Sequence, residues 1–143
     1  MLLSQTAEYA LRAMSWLATL PEGDAVPTSD LSSAADIPPH YLSKIMRRLV
    51  LHGLLKSQRG HGGGFSLAKP PEEIPFIDIL AAVDAAPTPG RCAFGWGECD
   101  ASKPCPMHDV WSKMSDAFLD WASTTTLADI QSTRRVRRGL DEA

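Results

Sequence analysis

Three cysteines and one histidine carry the chemistry this sequence holds in its residue types. Cys92, Cys99 and Cys105 are all the cysteines of the 143-residue chain, spaced C-x6-C-x5-C, and His108 follows the last of them at C-x2-H. Gly90, Gly95, Gly97, Pro104 and Pro106 break regular structure around them, so the thiols are expected on a loop able to wrap around an ion or a cluster. Three soft thiolates and one nitrogen suit zinc or an iron-sulfur centre, and suit hard cations poorly. The other fates open to such thiols are one disulfide with a free cysteine, direct sensing by unliganded thiols, and inert burial. Met1-Leu2-Leu3-Ser4 leads straight into a helical pattern with no secretory signal, so a cytoplasmic setting with reduced thiols is the expectation. Inert cysteines are more often dispersed through apolar helices than gathered between glycines and prolines.

The elements that must position this loop belong to one soluble domain. Hydrophobic residues make up 44% of the chain and charged residues 22%, and no apolar run reaches the length of a membrane span. The net charge of -3 conceals an asymmetry. From Ile37 to Pro71 there is no Asp or Glu, while Lys44, Arg47, Arg48, Lys56, Arg59 and Lys69 all fall there. A basic block in an acidic chain is a footprint for a polyanion.

Ser4 is placed to cap a helix to about Leu20 that carries Ala7, Ala10, Leu11, Met14, Leu17 and Ala18 on one face. Thr28 is placed to cap a short second helix to about Ala35, and Pro39 opens a third. Leu42, Ile45, Met46, Leu49 and Val50 give that third helix an apolar stripe, and His40, Tyr41, Ser43, Lys44, Arg47 and Arg48 lie on its other face. Two short helices joined by a tight turn, the second cationic outside, are what a helix-turn-helix needs to lay side chains in a major groove. Leu54 to Ser57 and Phe65 to Ala68 read as strands flanking the glycine-rich tip Arg59-Gly60-His61-Gly62-Gly63-Gly64. Such a hairpin is a wing, with Arg59 suited to the negative potential of a narrow groove.

A short apolar helix over Pro75 to Val83 precedes the cysteine loop, and a long one from about Met107 to Ala122 follows it. Met107, Trp111, Met114, Phe118 and Trp121 alternate at spacings of four and three, the pattern of a coiled-coil-like seam. A second copy of the same helix is the simplest cover, giving a two-fold dimer; packing on the chain's own first helix is the alternative. Leu127 to Gln131 form a last turn, and Arg134, Arg135, Arg137 and Arg138 close a tail expected to be basic and mobile.

These features together resemble the Rrf2 family of bacterial winged-helix regulators. The resemblance is carried by Leu3-Ser4, Glu8-Tyr9-Ala10, Tyr41-Leu42, Arg59-Gly60-x-Gly62-Gly63-Gly64-Phe65-x-Leu67-Ala68, Pro71-Glu72-Glu73-Ile74 and the three cysteines. It implies a homodimeric, DNA-binding repressor or activator rather than an enzyme, with promoter affinity responsive to a cluster on those cysteines. It also implies that Tyr41 and its neighbours read the major groove and that Arg59, with His61 beside it at the tip, meets the minor groove. Cys105-Pro106-Met107-His108-Asp109-Val110-Trp111 is similar to the family's cluster assembly regulator, in which the histidine here is the fourth ligand to a 2Fe-2S centre. The x6 spacing departs from that member's x5, and position 8 is an acid, as in members that use an acidic ligand from the first helix. Glu8 is therefore the alternative fourth ligand and 4Fe-4S the alternative cluster.

The expected fold is mainly α with a small β-hairpin wing: a winged helix-turn-helix over residues 1–84, a cysteine-rich loop over 85–108, a dimerisation helix and last turn over 109–131, and a basic tail over 132–143. A structural zinc held by three Cys and His108, or direct thiol sensing, is the competing reading of the same loop. A redox enzyme is disfavoured because no C-x2-C dithiol or paired catalytic base accompanies the thiols.

Overall fold

The computed structural model describes residues 3–131. Helix α1, Gln5–Leu17, starts where the Ser4 hydroxyl accepts the Ala7 N–H at 3.2 Å, as its sequence requires. It stops at Leu17 rather than near Leu20. The N–H groups of Thr19 and Leu20 donate only three residues back, to Trp16 and Leu17, so the last turn tightens before Pro21. Ala7, Ala10, Ala13, Met14 and Leu17 are buried, and three alanines in that stripe let neighbouring helices approach closely.

Helix α2, Thr28–Ala35, and helix α3, Pro39–Leu51, form the helix-turn-helix. Thr28 is the first helical residue and not the cap: extended Pro27 holds the cap position, and no side chain bonds there. Asp36 ends α2 in the left-handed region at φ 54, which reverses the chain within two residues of α3. Pro39 opens α3, whose missing N–H costs nothing at that position. Leu42, Ile45, Met46 and Leu49 are buried against α1 and α4, as their period predicts.

Strands β1, Leu55–Gln58, and β2, Gly64–Leu67, pair antiparallel with Leu55 opposite Leu67 and Gln58 opposite Gly64. Each is displaced by one residue from its expected limits. A third strand-like contact lies beyond the hairpin: Val26 and Phe65 exchange both backbone hydrogen bonds at 2.9 Å. The wing is thereby tied to the segment that enters α2. Gly64 makes this possible, because at φ 134 a Cβ would lie 2.2 Å from the Val26 carbonyl.

A 3-10 turn over Pro71–Glu73 leads into α4, Phe76–Ala82, the floor under α1 and α5. Helix α5, His108–Thr124, begins one residue later and runs two residues further than expected. The helical turn Leu127 to Gln131 returns to the core: Leu127 is fully buried, its N–H bonding Ile74 O at 3.1 Å. No described helix is long and apolar enough to cross a membrane. The basic residues Arg134 to Arg138 lie outside the described residues.

Candidate nucleic-acid interface and cysteine site

Residues His40, Tyr41, Ser43, Lys44, Arg47 and Arg48 all lie exposed on α3, and Arg59 and His61 are exposed at the wing. The core face of α3 leaves them no other direction. Ser43 and Arg48 make polar contacts within the chain. The Ser43 hydroxyl donates to Pro39 O at 3.0 Å, leaving its oxygen free to accept, and Arg48 lies 3.8 Å from the exposed Asp84 carboxylate. Tyr41 is 43% exposed, with the His40 ring 4.3 Å and the Tyr9 ring 6.0 Å away.

The cysteine loop has its own scaffold. Cys92 N–H bonds Gly97 O at 2.9 Å and Cys99 N–H bonds Gly90 O at 2.6 Å, closing a small turn in which Arg91 and Glu98 pair. The indole N–H of Trp111 on α5 donates to Arg91 O at 2.8 Å and anchors this turn to the helix. Cys92, Cys99, Cys105 and His108 line one pocket of about 80 Å³, together with Trp96, Glu98, Asp100 and Lys103. Glu8, half-buried on α1, is not among its lining residues. As the described chain stands, no three Cys, His, Asp or Glu side chains converge on a point that would hold a metal ion.

The thiols differ electrostatically. Backbone N–H groups, that of Phe94 foremost, hold the Cys92 thiol below its ordinary value against the opposing effect of burial, and the Cys105 thiol adds to the lowering. Burial pushes the Cys99 thiol up, and the neighbouring charges of Cys92, Cys105 and Asp116 push it further. Asp100 is held down by the Ser102 hydroxyl and N–H, at 2.6 and 2.8 Å. The thiols are thus close enough to feel one another, and their donor chemistry fits a soft metal or an iron-sulfur group.

Comparison with known proteins places this winged architecture in a family. Residues 3–133 match the Rrf2 family, described as iron-dependent transcriptional regulators. This chain belongs to the Rrf2 family. A putative HTH-type transcriptional regulator of Mycobacterium tuberculosis is 39% identical over 131 residues, covering 91% of this chain and 81% of the relative. The HTH-type transcriptional regulator IscR of Escherichia coli is 32% identical over 136 residues, covering 95% and 83%. Among solved structures, CymR, the global cysteine regulator of B. subtilis, superposes with a TM-score of 0.76 at 25% identity, covering 92% and 96%. Staphylococcus aureus CymR in an oxidized form superposes with a TM-score of 0.69 at 27% identity, covering 90% and 94%. As a member of the Rrf2 family the chain is a DNA-binding transcriptional regulator with a winged-helix fold, and not an enzyme.

The long helix of this Rrf2 protein is used in two ways. Trp121 meets Phe76 edge-on at 5.4 Å, and Phe118 packs on the core, so α5 leans on α4 rather than on α1. Beside that contact Trp111, Met114, Phe118 and Trp121 line an apolar groove of about 430 Å³ together with Ala85 and Pro87. Met114 remains 45% exposed. Local sequence patterns did not reveal Arg12: from α1 it reaches the carbonyls that end α2. A row of Gln5, Tyr9 and Arg12 at helical spacing was the only signal present.

Proposed function

We propose that this Rrf2 regulator is a homodimer whose promoter affinity is set by an iron-sulfur cluster held by Cys92, Cys99 and Cys105. The observation that carries the reading is the single small pocket shared by all three thiols and His108. A bound cluster supplies a redox-active, chemically displaceable centre at the junction of the loop and α5. His108, in the first turn of α5, is the fourth ligand to a 2Fe-2S centre, and Glu8 is the alternative. The Trp111 bond to Arg91 holds the loop on the helix that presents His108.

Anaerobic purification followed by iron, sulfide and zinc analysis tests this directly. Iron and sulfide in equal amounts are expected for the parent chain. His108→Ala should lower iron content and alter the visible spectrum, while Glu8→Ala should leave both unchanged. The reverse pattern would replace His108 by Glu8. Of the competing readings of the same cysteines, direct thiol sensing draws support from the likeness to the cysteine regulator CymR of B. subtilis and to the oxidized form of Staphylococcus aureus CymR, and a structural zinc from three Cys with one His. Zinc without sulfide would favour the structural zinc, and neither metal would favour direct thiol sensing.

On DNA, α3 enters the major groove through His40, Tyr41, Ser43 and Lys44, Arg47 and Arg48 meet phosphates, and Arg59 and His61 meet the minor groove. Arg59→Ala is expected to cost about 1 to 3 kcal/mol at a cognate site, whereas Arg47→Ala weakens all sequences alike and flattens the salt dependence. Titrations of both variants against an operator selected from random DNA check this, and unchanged affinity in both rejects the assignment.

The groove on α5 is covered by the same groove of a second copy. Trp111, Met114, Phe118 and Trp121 supply the apolar surface, continuous with side chains already seated on α4. Met114→Glu places an unpaired charge there and should cost the dimer about 3 kcal/mol while sparing the protomer, whose fold leaves Met114 exposed. Sedimentation at micromolar concentration is expected to give a parent dimer and a Met114→Glu monomer; a monomeric parent sinks the seam.

A further inference from the structure

Helix α1 buries Ala7, Ala10, Ala13 and Met14, yet its polar side is also engaged. The guanidinium of Arg12 donates from one nitrogen to Ala35 O at 3.3 Å and Asp36 O at 3.0 Å. These are carbonyls at the C-terminal end of α2, where a helix leaves acceptors without intrahelical donors and its dipole favours a cation. The same guanidinium lies 5.4 Å from the centre of the Tyr9 ring, and Tyr9 lies 6.0 Å from the ring of Tyr41 in the first turn of α3. Gln5 fixes the far side of Tyr9, donating from its amide to the phenol oxygen at 3.1 Å. Inside the turn, the Ser32 hydroxyl donates to Ile37 O at 2.5 Å.

Arg12 and Tyr9 thus hold the two sides of the joint between α2 and α3, one at the end of α2 and one at the start of α3. Asp36 holds the turn in the left-handed region, at φ 54, which few residues other than Gly, Asn and Asp adopt readily. Groove contacts tolerate displacements of only about 0.5 Å before their geometry fails. We propose that Arg12, acting through Tyr9 and the Ala35–Asp36 carbonyls, is a positioning residue that sets the angle at which α3 enters DNA, and so determines operator specificity rather than DNA affinity in general.

The inference rests on α3 being the element that reads DNA, and a Tyr41→Ala arm separates the two. The full-length chain is titrated with an operator selected from random-sequence duplexes and with an unselected duplex of equal length, and its thermal midpoint is recorded. Arg12→Ala is expected to lower operator affinity by about tenfold, comparable to a mismatched base pair, with unselected-DNA affinity unchanged. Arg12→Lys, which keeps a cationic donor, should recover part of that loss. Should Arg12→Ala fail to fold, Tyr9→Leu carries the test, since it removes the ring between Arg12 and Tyr41 and leaves both carbonyls capped. Equal losses on both DNAs, or no loss on the operator, overturn the positioning role. If Tyr41→Ala also leaves the operator affinity unchanged, the assignment of α3 fails with it.

Discussion

Cys92→Ala protein, purified anaerobically, is expected to contain almost no iron, a loss greater than the roughly 10- to 100-fold that follows removal of an outer-sphere partner of a metal ligand. Cys92 is the most buried of the three thiols, at 8% exposure, and its sulfur already receives the backbone N–H of Phe94. A group that holds negative charge this readily is the natural first ligand for a soft metal. Its own backbone hydrogen bond, to Gly97 O, survives the substitution, so the winged domain should keep its thermal midpoint. Lys103→Ala is the matched control: it alters the same pocket without removing a thiol and should retain iron. Elemental analysis of the three proteins decides the matter, and iron retained in Cys92→Ala would remove that thiol from the ligand set.

Among the described glycines, Gly64 should be the one least able to accept a methyl group. The added carbon would meet Val26 C and O at 2.2 Å and Pro27 N at 2.5 Å, all backbone atoms that cannot rotate away. The φ of 134 adds strain of its own, since L side chains rarely adopt it. The chain must then break the paired hydrogen bonds between Val26 and Phe65 and release the wing, at a cost of about 3 kcal/mol or more. A fall of about 10 °C in thermal midpoint follows for a domain of this size. Gly62→Ala is the comparison: φ is also positive, at 72, but the space is open, so only about 1 kcal/mol is expected. Thermal unfolding of both checks the contrast, and a Gly64→Ala chain as stable as the parent would mean that the bridge to Val26 does not hold the wing.

What was legible in the sequence is what depends on near neighbours. The α3 stripe from Leu42 to Leu49 repeats at the helical period, so its buried and exposed faces followed directly. The wing followed from its glycines, and the shared pocket of Cys92, Cys99, Cys105 and His108 from their place in one short stretch, which chain geometry alone keeps within reach of one another. The limits of elements were less legible. Thr28 has the side chain of a helix cap, yet Pro27 occupies that position because its fixed, extended backbone enters the helix without help. Contacts across the fold were not legible at all. The Arg12 bonds to residues 35 and 36, the bridge between Val26 and Phe65, and the seating of Trp121 on Phe76 join segments whose proximity is decided only by packing of the whole core. The two candidates proposed as fourth ligand divide along the same line: His108 is local to the loop, while Glu8 belongs to a separate helix.

Control of DNA affinity by the proposed cluster is tested by one titration. A single anaerobic preparation is measured against its selected operator as purified, after removal of iron and sulfide, and after reconstitution, at one salt concentration throughout. Operator affinity is expected to change by about tenfold or more on cluster removal and to return on reconstitution, a coupling of about 1.4 kcal/mol or more. The same affinity in all three states would contradict control by a cluster.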